Sequence, residues 1–433
     1  MNHLILAIAD AALVKAFSGL DLPGVASMRD QLRLVHDEVM PRPERHLRGH
    51  SGVTAGQPDR ACIYILRCEG ARVTTSLIPA TTVRYVRWDG AGRPFALVDA
   101  EVPAEPGPGE ALVRVDLATV CGSDVHTVSG ARPAPVPGVL GHEQVGTVLA
   151  VGDPAPRLLG GTPLTEGARV VWSVAASCGD CDRCVRDLPQ KCRHLTKYGH
   201  QELVPERPLT GGFASHCLLV PGTTIVEVPE GIPDVVAAPA SCATATVAAA
   251  LREAGDLRGA RVLVTGAGML GVTAVAMAAR KGAHVVAVDP HRDRRDRALR
   301  FGAAEATEKP TGEFEVAVEL SGAPQAVTTC LDMLAVGGTA VLAGSVFPGP
   351  AIPIEPERLV RGLHTITGVH NYRPGDLKTA VDFLAEHHRE HPFAELVQGR
   401  YGLDQLDAAF AAARTGEAAR QAVVPSAPVG RGA

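Results

Sequence analysis

Four cysteines crowd into one short segment and predict a closed metal site. They follow the spacing Cys-x2-Cys-x2-Cys-x7-Cys at Cys178, Cys181, Cys184 and Cys192. Four thiolates in a single loop can surround a zinc ion tetrahedrally and leave no position open, which is typical of a structural zinc. An iron–sulfur cluster and unrelated free thiols are the alternatives. Zinc is favoured because the segment lacks the proline-flanked fourth cysteine of bacterial ferredoxins.

Two further cysteines and a histidine, far apart along the chain, predict a second kind of metal site. Cys121, His142 and Cys242 would give zinc two sulfur ligands and one nitrogen ligand. The fourth position would stay open for water or substrate, which is the arrangement of a catalytic zinc. Each residue alone is a weak signal, since a single buried cysteine usually packs as a small hydrophobic residue. Together with the four-cysteine segment they predict two zinc ions per chain.

A glycine-rich turn predicts a dinucleotide site. The turn Gly266-Ala-Gly268-Met269-Leu270-Gly271 follows a strand-like run and opens a helix-like run. Glycines at these positions let the backbone approach a pyrophosphate at a helix N-terminus. Asp289 ends the next strand-like run, 18 residues after Gly271. Its carboxylate is placed to accept the ribose hydroxyls of the cofactor.

Residues near Asp289 bear on the choice between NAD and NADP. The carboxylate would repel the extra phosphate of NADP, whereas the basic residues just after it could bind that phosphate. These are His291, Arg292, Arg294 and Arg295. Because the arginines continue into a helix-like run while the carboxylate stands at the strand end, the sequence favours NAD, with NADP as the alternative.

The residues that carry chemistry lie in two stretches of different texture. Short strand-like runs such as Ala111–Val115 and Gln144–Val151 alternate with Gly and Pro turns, as expected of a mainly β domain. After about residue 243, strand-like runs at 261–264, 284–288, 315–320 and 339–342 alternate with helix-like runs. That alternation predicts a doubly wound parallel sheet, and hence an α/β protein.

Four segments are expected along the chain. Residues 1–81 form an N-terminal extension of unknown role, with a linker over Met40–Gly56; a misassigned start codon would equally explain this stretch. Residues 82–243 form the mainly β catalytic domain, which carries the four-cysteine lobe, and residues 244–371 form the dinucleotide-binding domain. Residues 372–433, with a helix over Asp376–Glu386, return to the first domain and end in a tail.

The composition excludes other classes of protein. The 433 residues are 46% hydrophobic and 21% charged, with a net charge of -5, which is typical of a globular protein and not of a nucleic-acid-binding one. The apolar runs are shorter than the roughly 20 residues that a membrane span needs. The N-terminus lacks the basic region of a secretion signal, and clustered metal thiolates suit a reducing compartment. We therefore expect a cytoplasmic protein without a membrane or nucleic-acid partner.

The order of these motifs resembles the zinc-containing medium-chain dehydrogenases, which include alcohol and sorbitol dehydrogenases. The resemblance runs from about Val83 to Pro425. It rests on Cys121-Gly-Ser-Asp-Val-His126, Gly141-His-Glu143, the four-cysteine lobe, Gly211-Gly-Phe-Ala214 and the turn at Gly266. It implies a GroES-like catalytic domain and a Rossmann domain, with the active site in the cleft between them. It also implies a homodimer or homotetramer.

Two details refine the resemblance. The motif at Cys121 resembles sorbitol dehydrogenases, whose third zinc position is often glutamate, but Ser241-Cys242-Ala-Thr-Ala-Thr246 resembles the alcohol dehydrogenase form with cysteine, so a polyol substrate is less favoured. Several segments are most similar to a subgroup known as phosphonate-catabolism-associated alcohol dehydrogenases. These segments are Gly141–Val145, Leu188–Cys192, Lys197–His200 and Cys242–Val247.

The resemblance implies roles for residues around the predicted catalytic zinc. Ser123 would contact the substrate oxygen and relay its proton through the cofactor ribose to His126. Asp124 would orient His142, and Glu143 would lie beside the zinc.

The predicted reaction is hydride transfer between a small alcohol, or its aldehyde or ketone, and the nicotinamide cofactor, which Thr246 would help to bind. A zinc-free quinone or enoyl reductase on the same scaffold is one alternative, but it would need neither cysteine group. A non-catalytic NAD(P)-binding protein is the other, and the Ser123–His126 relay argues against it.

The substrate is not fixed by these motifs. Arg193, Lys197 and His200 follow the four-cysteine lobe and could bind an anionic group, although a solvated basic surface is the favoured interpretation. The resemblance places Val174 at the pocket wall, where its modest side chain leaves room for substrates larger than ethanol.

Overall fold

The computed structural model describes residues 62–69 and 72–425, with side chains from residue 80 onward. The predicted linker at 40–56, much of the predicted extension and the last eight residues lie outside the described residues. The chain divides into two compact units. One comprises Met1–Thr82 with Glu101–Ala104, and the other Val83–Ala100 with Glu105–Ala433. The boundaries of the four predicted segments remain predictions.

The strands of the described residues are numbered in chain order. They are β1 (Cys62–Glu69), β2 (Arg72–Arg87), β3 (Ala96–Pro103), β4 (Ala111–Val120), β5 (Gln144–Val151), β6 (Arg169–Ala176), β7 (Thr196–Lys197), β8 (His216–Leu219), β9 (Thr223–Glu227), β10 (Arg261–Thr265), β11 (His284–Val288), β12 (Glu305–Thr307), β13 (Phe314–Glu319), β14 (Leu334–Leu342), β15 (Thr365–Gly368), β16 (Val397–Tyr401) and β17 (Arg420–Val423).

The helices are numbered in the same way. They are α1 (Gly122–Val128), α2 (Asp182–Val185), α3 (Asp234–Ala237), α4 (Ala243–Glu253), α5 (Met269–Arg280), α6 (Arg292–Arg300), α7 (Pro324–Asp332), α8 (Pro356–Gly362), α9 (Pro374–His387) and α10 (Leu406–Thr415).

The mainly β part of the chain is built on one curled sheet. Its strands lie in the order β16-β17-β4-β5-β6-β7, with β8 added to β4 and β9 added to β6. Apolar side chains from these strands and from α10 fill its interior, among them the fully buried Trp172, Phe213 and Phe410. Because β17 pairs antiparallel with β4, Arg420–Val423 lies beside the strand that ends just before Cys121.

A parallel sheet forms the second part, in the strand order β12-β11-β10-β13-β14-β15. The middle strand β10 buries Val262, Leu263 and Val264 completely. Such continuous apolar runs are what a sheet covered by helices on both faces requires. The predicted α/β class, a mainly β part joined to a doubly wound parallel sheet, is confirmed.

β1, β2 and β3 form a separate three-stranded sheet in that order, and β1 pairs antiparallel with the start of β2.

The carboxyl ends of the parallel strands bring several loops to one edge of the sheet. Gly266 follows β10, Asp289 follows β11, Ser321 lies just beyond β13 and Ser345 just beyond β14. In doubly wound folds the ligand binds at this edge.

Within the described ranges, no single helix is long and apolar enough to cross a membrane. The bent pair Asp234–Ser241 and Ala243–Glu253, which meet at 53°, passes the same test by length and composition together.

Candidate active site and metal centres

Cys121, His142 and Cys242, the predicted catalytic zinc ligands, come together. One potential ligand atom from each lies within 4.8 Å of those of the other two. Cys121 stands between β4 and α1, His142 shortly precedes β5, and Cys242 stands directly before α4. Two thiols and one imidazole at this separation fit a zinc ion with one position left open.

Asp124 orients the imidazole of His142, and Ser123 lies beside it. Asp124 Oδ1 lies 3.3 Å from His142 Nδ1, close enough for an ion pair although not aligned as a hydrogen bond. The other carboxylate oxygen accepts the backbone N–H of Cys121 at 3.0 Å. Ser123 Oγ lies 3.1 Å from His142 Nε2. A carboxylate at Nδ1 leaves Nε2 as the metal-facing nitrogen, as is usual for metal-binding histidines.

Arg420, which sequence reasoning missed, pairs with Glu143 beside this cluster. Its Nε and Nη2 atoms donate to the two carboxylate oxygens at 2.6 and 2.9 Å. Thr119 Oγ1 donates to the same carboxylate at 2.6 Å, and Arg420 Nη2 lies 3.5 Å from Cys121 Sγ. Glu143 is therefore held next to the cluster by Arg420, which is 277 residues away in the sequence. No local spacing could have indicated this ion pair.

Ser241 and Tyr372, also missed, hold the backbone around the third ligand. Ser241 Oγ donates to the carbonyl of His142 at 3.2 Å and accepts the N–H of Gln144 at 3.3 Å. The buried Tyr372 hydroxyl donates to the carbonyl of Ser241 and accepts the N–H of Val174 at 3.1 Å. These contacts tie the predicted pocket wall at Val174 to the metal-binding loops.

The charges at the cluster prepare it for a metal ion. Burial alone would lower the pKa of His142, but the Asp124 carboxylate and Cys121 raise it to about 10. The contact with the Cys242 thiol lowers the pKa of Cys121 well below its usual value, against the effect of burial, and Arg420 acts in the same direction. Cys121 is thus favoured as the thiolate, the form that binds metal, while a metal must displace a proton from His142.

The four cysteines of the lobe also come together, and their sulfur atoms all lie within 4.8 Å of one another. The Sγ–Sγ distances are 3.3 Å for Cys178–Cys192, 3.6 Å for Cys181–Cys184, 3.9 Å for Cys181–Cys192 and 4.0 Å for Cys178–Cys184. A zinc ion with sulfur at about 2.3 Å gives tetrahedral edges of about 3.8 Å. Backbone N–H groups of the lobe also point at these sulfurs, at 3.3 to 3.5 Å. The donor set and its spacing fit a closed zinc site.

The glycine turn after β10 leaves no room for larger residues. A Cβ on Gly271 would lie 1.7 Å from the carbonyl oxygen of Gly266, and one on Gly266 would lie 2.9 Å from Ser321. Gly266 also has a φ of +88°, which favours glycine. Gly268 directly precedes α5, whose first residues are Met269 and Leu270. The first amides of a helix have no intrahelical acceptor and can bind phosphate.

Asp289 stands beside this turn, as predicted. Its carboxylate is buried and accepts the N–H groups of Ala267 and His291, each at 2.9 Å. Arg294 Nη1 lies 3.8 Å from the same carboxylate. Asp289 therefore shapes the turn in addition to its predicted contact with the ribose, and one arginine of the predicted basic group lies within reach of it.

The predicted relay residues lie on one short helix, α1. Ser123 is half-buried beside the metal cluster, whereas His126 is exposed. The ring of His126 packs against Phe347, from the loop after β14, with 4.2 Å between centroids. Thr246 is half-buried one turn into α4, and its N–H donates to the carbonyl of Cys242 at 3.0 Å. The relay through these residues remains a prediction.

The three basic residues after the lobe have different surroundings. Arg193 forms an exposed ion pair with Asp182 of the lobe, with 2.8 Å between Nη2 and Oδ2. Lys197 lies in β7, opposite Ala175 of β6. The His200 ring lies 5.0 Å from the His142 ring, centroid to centroid. Of the three, His200 thus has a direct ring contact with a predicted metal ligand.

A curled β part with two thiol-rich clusters, joined to a doubly wound sheet with a dinucleotide-type turn, defines the class of nicotinamide-linked, zinc-binding oxidoreductases. Comparison with known proteins agrees with this class. Residues 107–230 match the alcohol dehydrogenase GroES-like domain, and residues 270–386 match the zinc-binding dehydrogenase domain.

Individual relatives agree with the domain matches. An L-threonine 3-dehydrogenase of Anaeromyxobacter dehalogenans is 31% identical, over 74% of this chain and 92% of its own. A 5-exo-hydroxycamphor dehydrogenase of Pseudomonas putida is 30% identical, over 73% and 92%. The structure of an alcohol dehydrogenase from Thermotoga maritima has a TM-score of 0.74 and 26% identity, covering 80% of this chain and all of that one. The chain belongs to the zinc-containing medium-chain alcohol dehydrogenase family.

Proposed function

We propose that this chain transfers hydride between a small alcohol, or the corresponding aldehyde or ketone, and a nicotinamide cofactor, with catalysis at Cys121, His142 and Cys242. The observation that carries the proposal is the meeting of these three side chains within 4.8 Å. Three protein ligands leave the fourth position of a zinc ion open to water or substrate, as in catalytic zinc sites.

Zinc held by these residues would supply a Lewis acid that lowers the pKa of an alcohol towards neutrality. The chain itself then has to orient the ligands and move a proton. Asp124 holds the imidazole of His142, and the Glu143–Arg420 pair supports Cys121 from the other side. In this relay Ser123 Oγ, 3.1 Å from His142 Nε2, would accept the hydroxyl proton of the substrate as it gives up its own proton through the ribose of the bound cofactor to His126, and the exposed His126 would release a proton to solvent.

The second zinc belongs, in this proposal, to the four-cysteine lobe. Its four thiols leave no position for a substrate. We assign this site to stability alone.

For the cofactor we propose NAD in preference to NADP. The Gly266–Gly271 turn and the start of α5 bind the pyrophosphate, and Thr246, in α4, helps to bind the cofactor. Asp289, at the end of β11, disfavours an added phosphate. Arg294 Nη1 is only 3.8 Å from that carboxylate, so part of its positive charge is already offset.

We further propose a cytoplasmic homodimer or homotetramer. The reduced thiols of two zinc sites suit a reducing compartment. β15 is the edge strand of the parallel sheet, and the exposed Val336, Val360 and Leu363 lie in or near β14 and α8. Exposed apolar side chains next to an unpaired strand edge are typical of a subunit interface.

Metal analysis combined with a turnover assay tests the proposal. We expect about two zinc ions per chain, and reduction of NAD by at least some members of a panel of primary and secondary alcohols, with a higher kcat/KM than for NADP. A chain without zinc that reduces quinones or enones would support the zinc-free reductase instead. Zinc without turnover of any alcohol would support a non-catalytic role.

A further inference from the structure

Five basic side chains gather on one side of the candidate active site. This basic cluster consists of Arg132, Lys191, Lys197, His200 and His370. Its members come from three separate parts of the fold. One follows α1, three lie between the end of the four-cysteine lobe and the loop after β7, and one follows β15, at the ligand-binding edge of the parallel sheet.

Direct contacts join two members of the basic cluster to each other and another member to the metal-binding loops. Lys191 Nζ is in contact with His370 Nδ1, although the two residues are far apart in sequence. The His200 ring lies 5.0 Å from the His142 ring. Gly199 explains this approach, since a Cβ there would lie 2.4 Å from the carbonyl oxygen of Gly141. The segment that carries Lys197 and His200 therefore packs directly against the backbone that presents His142.

Electrostatic effects within the cluster show that its members face one another. Burial lowers the pKa of His370 to about 4, and the charges of Lys191, Lys197 and Arg132 act in the same direction. Burial, together with the charges of Arg132 and Lys191, lowers the pKa of Lys197 to about 8, and Cys242 and Cys121 act in the opposite direction. The same three cations thus surround His370, two of them also act on Lys197, and Lys197 lies near the thiols of the candidate zinc site.

Nothing among the described side chains neutralises this concentration of charge. Arg132, Lys191 and Lys197 form no salt bridge with any described carboxylate, whereas Arg193, on the same lobe, pairs with Asp182. His200 Nδ1 is buried without a hydrogen-bond partner in the described part of the chain. Arg132 and Lys197 are half-buried and Lys191 is exposed, and like charges held close together repel one another unless an opposite charge offsets them.

The metal site itself does not balance the cluster. The thiolates of Cys121 and Cys242 would neutralise a divalent zinc ion, and Glu143 is already paired with Arg420. Asp124 adds one negative charge, held against His142. The positive charge of Arg132, Lys191 and Lys197 therefore exceeds the local negative charge, and a bound anion would offset the difference.

From this arrangement we propose that the basic cluster binds an anionic group of the substrate, so that the preferred substrates are alcohols carrying a carboxylate or a phosphate-like group near the hydroxyl. The inference deepens the proposed function, on which it rests. Lys197 and His200, adjacent to the metal ligands, contact the anion, and Arg132, Lys191 and His370 form the outer part of its site. Lysine and arginine are the usual partners of such groups, through charge-assisted hydrogen bonds.

Paired substrates test the proposal without changing the protein. 4-Hydroxybutanoate is compared with 4-hydroxybutanamide, and glycerol 3-phosphate with glycerol. The carboxylate and phosphate arms distinguish the two kinds of anion. We expect kcat/KM for at least one anionic member to exceed that of its neutral partner by about tenfold or more, since hydrogen bonds to charged groups are strong. The preference should lie mainly in KM and should decrease as salt is added.

Lys197→Met and Lys197→Arg connect the preference to the basic cluster. The Met variant should lose most of the anionic-to-neutral ratio of kcat/KM, and the Arg variant should keep most of it. Lys309→Met is the matched control, because it removes an exposed lysine just after the edge strand β12, outside the basic cluster. This variant should keep the wild-type ratio. A direct titration with inorganic phosphate should show weaker binding to Lys197→Met than to the control.

The outcomes separate the two proposals. Turnover of neutral and anionic alcohols with equal kcat/KM would uphold the proposed function and overturn the anion site. A preference that survives unchanged in Lys197→Met would also overturn it. Absence of alcohol turnover, with phosphate binding that weakens in Lys197→Met, would uphold the anion site and overturn the proposed function.

Discussion

His126 shows what one exposed side chain can contribute to a buried reaction centre. It lies one turn after Ser123 on α1, and Ser123 is in contact with His142. Its ring packs against Phe347, from the loop after β14, while the side chain remains exposed to solvent. A residue in this position can carry a proton between the site and water without touching the metal ligands.

We expect His126→Gln to keep both zinc ions and cofactor affinity but to slow alcohol oxidation near neutral pH. Only proton movement is impaired, and general acid–base contributions are typically about 10²–10⁴-fold; we expect the low end because the residue is exposed. The deficit should shrink as the pH rises, because hydroxide then accepts the proton directly. His284→Gln, an exposed histidine at the start of β11, is the control. A pH–rate profile identical to wild type would remove His126 from the mechanism.

Functional residues could be predicted from the sequence where a metal ion or a phosphate requires a fixed spacing along the chain. Cys178 to Cys192 share one loop, and the Gly266 turn has a fixed pattern, so both were predicted by type and position. Arg420 and Tyr372 were not, because their partners Glu143 and Ser241 are more than 130 residues away in each case. Pairings of that kind depend on strand order and are invisible to local patterns.

The four-cysteine lobe is an element with almost no core of its own. Its helix α2 has four residues, none of them buried, and its ion pair between Arg193 and Asp182 is exposed on both sides. Exposed ion pairs contribute little to stability. The fold of the lobe must therefore depend on what binds between its sulfurs.

Cys184→Ser should bind about one zinc ion less per chain and should unfold or aggregate at a temperature about 5 °C or more below wild type, because structural zinc contributes folding free energy directly. The chemistry of the fraction that stays folded should change much less. Cys330→Ser, outside both clusters and bonded to Thr265, should keep the wild-type zinc content. Measurements of zinc content, thermal unfolding and kcat on the soluble fraction check this. Retention of both zinc ions at normal stability would refute the structural assignment.

Elements were predicted best where burial gives a repeated pattern. Gln144–Val151 and His284–Val288 were predicted as strands with the bounds that the structure has. The two-residue strand β7 (Thr196–Lys197) carries no such pattern. As a result, Lys197 was interpreted as part of a solvated surface, although β7 pairs with β6 and Lys197 joins the basic cluster.

At the scale of the whole molecule, the chemistry occupies a limited part of the chain. The candidate ligands, the turn and the relay all lie between Cys121 and Arg420, inside the unit that begins at Val83. The first buried core residues of that unit include Val83, Val86 and Trp88, which are only 1 to 3% exposed. The residues before Thr82 supply none of the side chains that the proposed reaction uses.

A chain that begins at Thr82, preceded only by a starting methionine, should therefore bind as much zinc as the full chain and keep kcat/KM within about twofold, since a compact unit with its own core can fold alone. A second truncation that also removes residues 82–88 is the matched control. It deletes Val83, Val86 and Trp88 from the core, and each large buried side chain costs about 2–5 kcal/mol when lost, so this shorter chain should be unstable or insoluble. Zinc content, unfolding temperature and turnover of both truncations against the full chain measure the difference. If the chain from Thr82 folds and binds zinc but loses turnover, the first 81 residues contribute to catalysis, and the boundary expected at residue 82 does not separate the reaction from the extension.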